Sequence, residues 1–140
     1  MDALLALIVT WLAINFELPP NYKYPTVSFR PAAEIYRARY GIGETQSFPV
    51  VVAVYDERNG AILLPSNWTA VSPADISVLV HEMVHHLQGK AGLKYECAEA
   101  REAPEYAAQE KWLNQSGTDL SREFGIDAMT LKLLTKCGIH

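Results

Sequence analysis

The chain has 140 residues, 49% of them hydrophobic and 20% charged, which is the balance of one globular domain with a true core and excludes a disordered or fibrous protein. Its net charge of −4, with Lys and Arg scattered rather than clustered, offers no basic surface of the kind that nucleic acid requires. Nor does it contain a repeat, a low-complexity stretch or a glycine-rich phosphate loop.

The stretch from Ala3 to Ile14 is apolar almost all round, yet far shorter than the roughly 20 residues that span a bilayer, so no transmembrane segment is expected. It has the length of a signal-peptide core, but Asp2 is its only early charge and no small-x-small cleavage site precedes Pro19-Pro20. A buried first helix capped by Asp2 and ended by the proline pair is the preferred reading. Thr26 to Phe29 alternates as a short strand, and Pro31 opens a helix through Ala33, Ile35, Tyr36 and Tyr40 that Gly41 closes. Val50–Tyr55 and Ala61–Leu64 read as two strands, and Asn59-Gly60 between them is a strong hairpin signal. Pro65 ends the second arm.

Ser72-Pro73-Ala74-Asp75 begins the next helix, with an N-cap serine, proline at the first helical position and an acid three residues after the cap. Ile76, Leu79, Val80, Met83 and Leu87 recur at three-to-four spacing as a core-facing stripe, and Gly89 supplies a stop. Inside this helix lies His81-Glu82-Met83-Val84-His85, and three of the four histidines of the chain fall between positions 81 and 86. Residues four apart on a helix share a face, with Cβ atoms roughly 5–6 Å apart, so His81 and His85 can converge on one ion. Zinc suits two neutral imidazoles, and Glu82, about 100° round from His81, is placed as a general base.

A catalytic zinc takes three protein ligands, so a third is needed. The well-known extension with a third histidine six residues on is excluded, because that position is Ala91 and the expected glycine is Gln88. His86 points about 100° away from His85 and His140 is the last residue, so a carboxylate is the better candidate. The following helix offers Glu99, Glu102 and Glu105; Glu99, Glu102, Tyr106, Gln109 and Leu113 share a face. Asn114 to Gly117 breaks that helix, and Asp119 and Asp127 are caps for a short helix and for a last one carrying Met129, Leu131, Leu133 and Leu134, expected to be core.

The motif His81-Glu82-x-x-His85 followed by a helical glutamate resembles the gluzincin branch of the zincin-like zinc metallopeptidases. His81 through Gln88, matching H-E-x-V-H-H-L-Q, and Glu102 through Gln109, matching E-x-x-A-Y-x-x-Q, resemble small, uncharacterised bacterial zincin-like domains. The specific part of the likeness covers positions 81–109, and the chain departs from it at Pro104 and Glu105. The resemblance implies one Zn2+ held by His81, His85 and Glu102, with Glu99 and Glu105 as the remaining choices. It also implies an α+β fold, mostly helical, in which the active-site helix packs on the glutamate helix beside a short hairpin that either receives an extended peptide or is a structural meander. The likeness places cysteines where Cys97 and Cys137, the only two, stand at helix ends, so a disulfide pinning the last helix beside the glutamate helix is expected, the alternative being two buried thiols. A disulfide would favour an exported location, while the missing export signal leaves a cytoplasmic one open.

Residues 1–140 thus read as a single domain, most simply a zinc-dependent peptidase acting on a peptide or protein, with Glu82 moving the proton of an activated water. A non-peptidase zinc hydrolase would use the same residues, and the third reading is a peptide-binding or interaction module that keeps the fold, with or without the metal, and does not catalyse. The outer imidazole nitrogens need acceptors, for which Glu99, Glu105 and Asp119 are candidates. Transition-state stabilisation falls to Tyr106, Tyr95, Arg101 or His86.

Overall fold

A computed structural model describes residues 1–40 and 53–138. Gly41, Val50 to Val52 and His140 lie outside the described residues. The order of elements is α1 (Asp2–Phe16), β1 (Thr26–Arg30), α2 (Ala32–Tyr40), β2 (Val54–Asp56), β3 (Ala61–Pro65), α3 (Pro73–Ala91), α4 (Ala98–Gln115), α5 (Leu120–Phe124) and α6 (Ala128–Thr135). Among the described residues the fold is therefore α+β and mostly helical, with a three-stranded sheet.

The sheet runs β1-β3-β2, with β3 in the middle. Strand β3 is parallel to β1, pairing Val27 with Ile62, and antiparallel to β2, pairing Tyr55 with Ile62. The expected hairpin is β2–β3. Its turn is held by Asp56, whose carboxylate accepts from Asn59 N at 3.2 Å and Asn59 Nδ2 at 2.7 Å, and Gly60 takes the left-handed conformation at φ +60° that glycine alone adopts without strain.

Helix α3 lies at the centre, touching α1, α4, β2 and β3. That position explains why its burial is not confined to one stripe: Val78, Leu79, Val80, Met83, Val84 and Leu87 are all buried, in one cluster with Leu5, Ile8, Val9 and Leu12 of α1, Ile62 and Leu64 of β3 and Ala108 of α4. Its N-terminus is capped as the sequence requires, Ser72 Oγ accepting from Asp75 N. The Asp75 carboxylate accepts from Thr69 N at 2.8 Å, so it ties the preceding loop to the helix. The stop is Gly92 rather than Gly89. Gly92 sits at φ +66° and Leu93 N returns to Gln88 O at 3.1 Å, the bonding of a Schellman end. Gly89 stays helical, and its missing Cβ makes room for Glu57 of the hairpin turn, which that carbon would approach to 3.0 Å.

Both ends of the chain differ from expectation. In α1 the N-cap is Met1, without a side-chain bond, and Asp2 lies in the first turn, where its charge still complements the helix dipole. The helix ends on Glu17 in the left-handed region at φ 56°, before Pro19-Pro20 is reached. Only one side of it is buried, Leu7 and Ile14 being 56% and 75% exposed. Trp11 fastens it to the far end of α4, stacking edge-on against Trp112 and donating to Gln115 Oε1 at 3.1 Å.

The last helix is not core. Met129, Leu133 and Leu134 are exposed and α6 has no buried residue, because this eight-residue helix packs mainly on α4 and, among the described residues, has no layer over its other side. What holds it is covalent, since Cys97, the N-cap of α4, is disulfide-bonded to Cys137. Closing a loop over a separation of 40 residues removes unfolded-chain entropy worth about 2–4 kcal/mol. Cys137→Ser is expected to lower unfolding stability by about that amount, read as a drop in the urea midpoint that reductant reproduces in the wild type.

Candidate metal centre

One turn of α3 brings the rings of His81 and His85 to a centroid distance of 5.4 Å, and α4 lays Glu102 across both. Glu102 Oε1 is 3.1 Å from His81 Nε2, and Oε2 is 2.8 Å from His85 Nε2. The ligand atoms of His81, His85 and Glu102 all lie within 4.8 Å of one another, so this trio could hold a metal ion.

The hydrogen-bond chain behind His81 fixes its tautomer. Ser77 Oγ donates to Ala74 O at 2.7 Å and therefore accepts from Gln109 Nε2 at 3.1 Å. That orients Gln109 Oε1 toward His81 Nδ1, at 2.8 Å. An amide oxygen only accepts, so Nδ1 carries the hydrogen and Nε2 presents a lone pair. His85 is held in parallel: its Nδ1 lies 2.8 Å from Glu105 Oε2, an atom that otherwise lacks a hydrogen-bond partner, while Glu105 Oε1 accepts from Gln88 Nε2 at 2.6 Å. Two imidazole nitrogens with acceptors at their backs thus face a carboxylate that also only accepts. Such a trio needs positive charge at its centre, as protons or as a metal ion.

Ligands about 2.0–2.1 Å from one tetrahedral ion stand roughly 3.3–3.4 Å apart, so the two His–Glu102 spacings have to open by roughly half an ångström or less. Without metal, protons take that role. Burial disfavours the His85 imidazolium, but Glu102 and Glu105, helped by the charge of Glu82, outweigh it and lift the pKa to about 10. Burial raises Glu102 in turn, and the two histidines outweigh that and hold it well below the usual carboxylate range. In the fully buried Glu105 burial prevails over His85 and the pKa is raised.

These shifts set a pH dependence. His85 stabilises the metal-free fold fully below 6.5 and loses that contribution as pH rises to about 10; Glu102 stabilises it above 4.5 and loses its share as pH falls through its depressed value. Thermal denaturation in chelator should therefore show stability declining as pH rises above 6.5 towards about 10. Zinc affinity should rise over that same upper range by about tenfold per pH unit, since the ion displaces one proton.

Glu82 is 3% exposed and, with His85 and Glu102, lines a cleft of about 350 Å³ whose other walls include Val54 and Tyr55 of β2 and Arg101 of α4. The remaining candidates scatter. Tyr106 stacks edge-on against His81 at 4.7 Å, holding the ring rather than lining the cleft. Glu105 sits behind His85, which removes it as a ligand and makes it that ring's acceptor. Glu99 is outside the trio. Tyr95 OH accepts from Gln88 at 3.1 Å, and Asp119 caps α5.

His86 turns away, as the helix period requires. Burial pushes its pKa down, and its Nε2 donates to Lys23 O at 2.7 Å while Nδ1 accepts from Tyr55 OH at 2.9 Å. The Tyr55 phenol, pushed up by burial and then by Glu57, keeps the proton that this bond uses.

Sequence reasoning gave no role to Gln109, Gln88 or Ser77. A signal was present for the first: Glu102, Glu105 and Gln109 follow i, i+3, i+7 spacing, the row of α4 that faces both histidines. Gln109→Ala should weaken zinc binding about 10–100-fold without unfolding the chain, checked by chelator competition.

A mostly helical α+β domain that gathers two imidazoles from one helix and a carboxylate from the next has a candidate metal centre as its defining feature. The chain belongs to the family described as a domain of unknown function, DUF6647, whose profile matches residues 1–140. No curated protein and no solved structure matches it.

Proposed function

We propose that this chain is a zinc-dependent hydrolase of the zincin type, with His81, His85 and Glu102 as zinc ligands and peptide bonds as its substrate. The observation that carries the reading is the orientation of the two rings: acceptors at both outer imidazole nitrogens leave both Nε2 atoms turned inward on the Glu102 carboxylate, as a shared cation requires. Zinc bound there supplies a Lewis acid that polarises a carbonyl and makes water acidic near neutral pH.

The rest is done by the chain's own groups. Glu82, at the cleft wall beside His85, takes the proton of the attacking water and hands it to the departing amine. The histidines take no part in proton transfer, because their outer hydrogens are committed to Gln109 and Glu105. Strand β2 borders the cleft through Val54 and Tyr55, which supports an extended peptide lying alongside it.

The test is turnover of a mixed peptide library by zinc-reconstituted protein. Cleavage that chelator abolishes and zinc restores supports the proposal; a zinc-loaded protein that leaves every peptide intact contradicts it.

A further inference from the structure

Among the described residues that line the cleft, Arg101 is the one permanent cation. It stands next to Glu102 on α4, and its guanidinium is set by two contacts of different kinds. Nε donates to Oε1 of buried Gln88 at 3.4 Å, which anchors the base of the fork. NH2 lies 3.6 Å from Glu57 Oε1, a long contact to a side chain that is 60% exposed on the hairpin turn. A planar guanidinium held at its base and only loosely paired at its tip is ready to take a carboxylate through two parallel hydrogen bonds.

The other side chains able to donate near the site are already occupied. Tyr55 OH donates to His86, and Gln88 Nε2 is used on Glu105. The remaining charged lining residues, apart from His85, are Glu57, Glu82 and Glu102, which repel an anion. Among the described side chains of the cleft, Arg101 is therefore the one permanent cation that an anionic substrate group can meet besides the proposed zinc.

We propose that Arg101 is a specificity residue that binds a substrate carboxylate, either the C-terminal carboxylate of a peptide or an acidic side chain near the scissile bond. The proposal rests on the hydrolase reading for its substrate class. Glu57 is the group that the incoming carboxylate displaces, and Gly89 lets Glu57 pack down against α3 when no substrate is present.

The experiment measures binding and turnover separately. N-acetylated tetrapeptides are prepared as C-terminal acid and amide pairs, and with Glu or Gln at each internal position, then titrated calorimetrically into zinc-loaded wild type, Arg101→Gln, Arg101→Lys and Glu57→Gln proteins. In the wild type one carboxylate-bearing member should bind about 10–100-fold more tightly than its neutral counterpart, and the pair that shows this identifies the source. Arg101→Gln should erase the preference while retaining zinc, Arg101→Lys should restore part of it, and Glu57→Gln should preserve or enlarge it.

A purely structural Arg101–Glu57 link predicts instead that Glu57→Gln and Arg101→Gln behave alike, which would overturn the proposal. So would equal binding of acid and neutral peptides, or a preference that survives in Arg101→Gln because the carboxylate binds zinc directly. Turnover is scored on the same peptides: a wild type that cleaves but shows no acid preference refutes only the role of Arg101, whereas a wild-type preference that Arg101→Gln erases, without any cleavage, refutes only the hydrolase reading.

Discussion

Glu102→Gln is expected to lower zinc affinity by more than about 100-fold while leaving the metal-free protein folded. The lower bound follows from the residue's place in the trio: losing an acceptor behind a ligand costs about 10–100-fold, and Glu102 is the only carboxylate in the trio. The fold should tolerate the change because Glu102 is partly exposed at the cleft, and an amide in its place can donate to one of the facing imidazole lone pairs. His85 provides an internal check. Glu102 is one of the two hydrogen-bond partners that lift its pKa to about 10, so titration of the metal-free variant by NMR should find that imidazole losing its proton at lower pH. Unchanged zinc affinity in the variant would place the third ligand elsewhere.

Glu82→Gln should separate metal binding from catalysis. Glutamine matches glutamate in size, and Glu82 is outside the ligand trio, so zinc content should not change. A positioned general base contributes about 10²–10⁴-fold, and turnover of any cleaved peptide should fall by that factor with KM nearly unchanged. Full turnover in a zinc-replete variant would assign the proton transfer to another group.

The convergence of the two histidines was legible in the sequence because it is local. Four-residue spacing on one capped helix dictates that His81 and His85 converge, and the structure places the Ser72 cap where that helix needs it. Glu102 could be reached only through its likeness to a known pattern, since Glu99 and Glu105 carry the same group within one turn either side. What separates the three is how α4 packs on α3, and that contact is set by the whole core.

Residues that act through long-range pairing were hidden for the same reason. Gln109 meets His81 across 28 positions and Gln88 meets Glu105 across 17, and no local pattern encodes either distance. The parallel pairing of β1 with β3 is likewise a long-range choice that two short strands do not announce.

The errors at the chain ends have physical causes too. Periodic apolar residues in α6 read as a buried stripe, yet a short helix fixed by a disulfide does not need a covering layer to stay in place. Gly89 read as a stop because glycine ends many helices, whereas here it admits the Glu57 side chain.

The most direct test of the account is the zinc stoichiometry and coordination of the purified wild-type chain after equilibration with zinc near neutral pH. Elemental analysis should give one zinc per chain, and X-ray absorption should show two imidazole nitrogens and one carboxylate oxygen at about 2.0–2.2 Å, with the nitrogen signal halved and affinity collapsed in His85→Ala. A chain that takes up no zinc under these conditions, or holds it equally well without His85 and Glu102, would contradict the account.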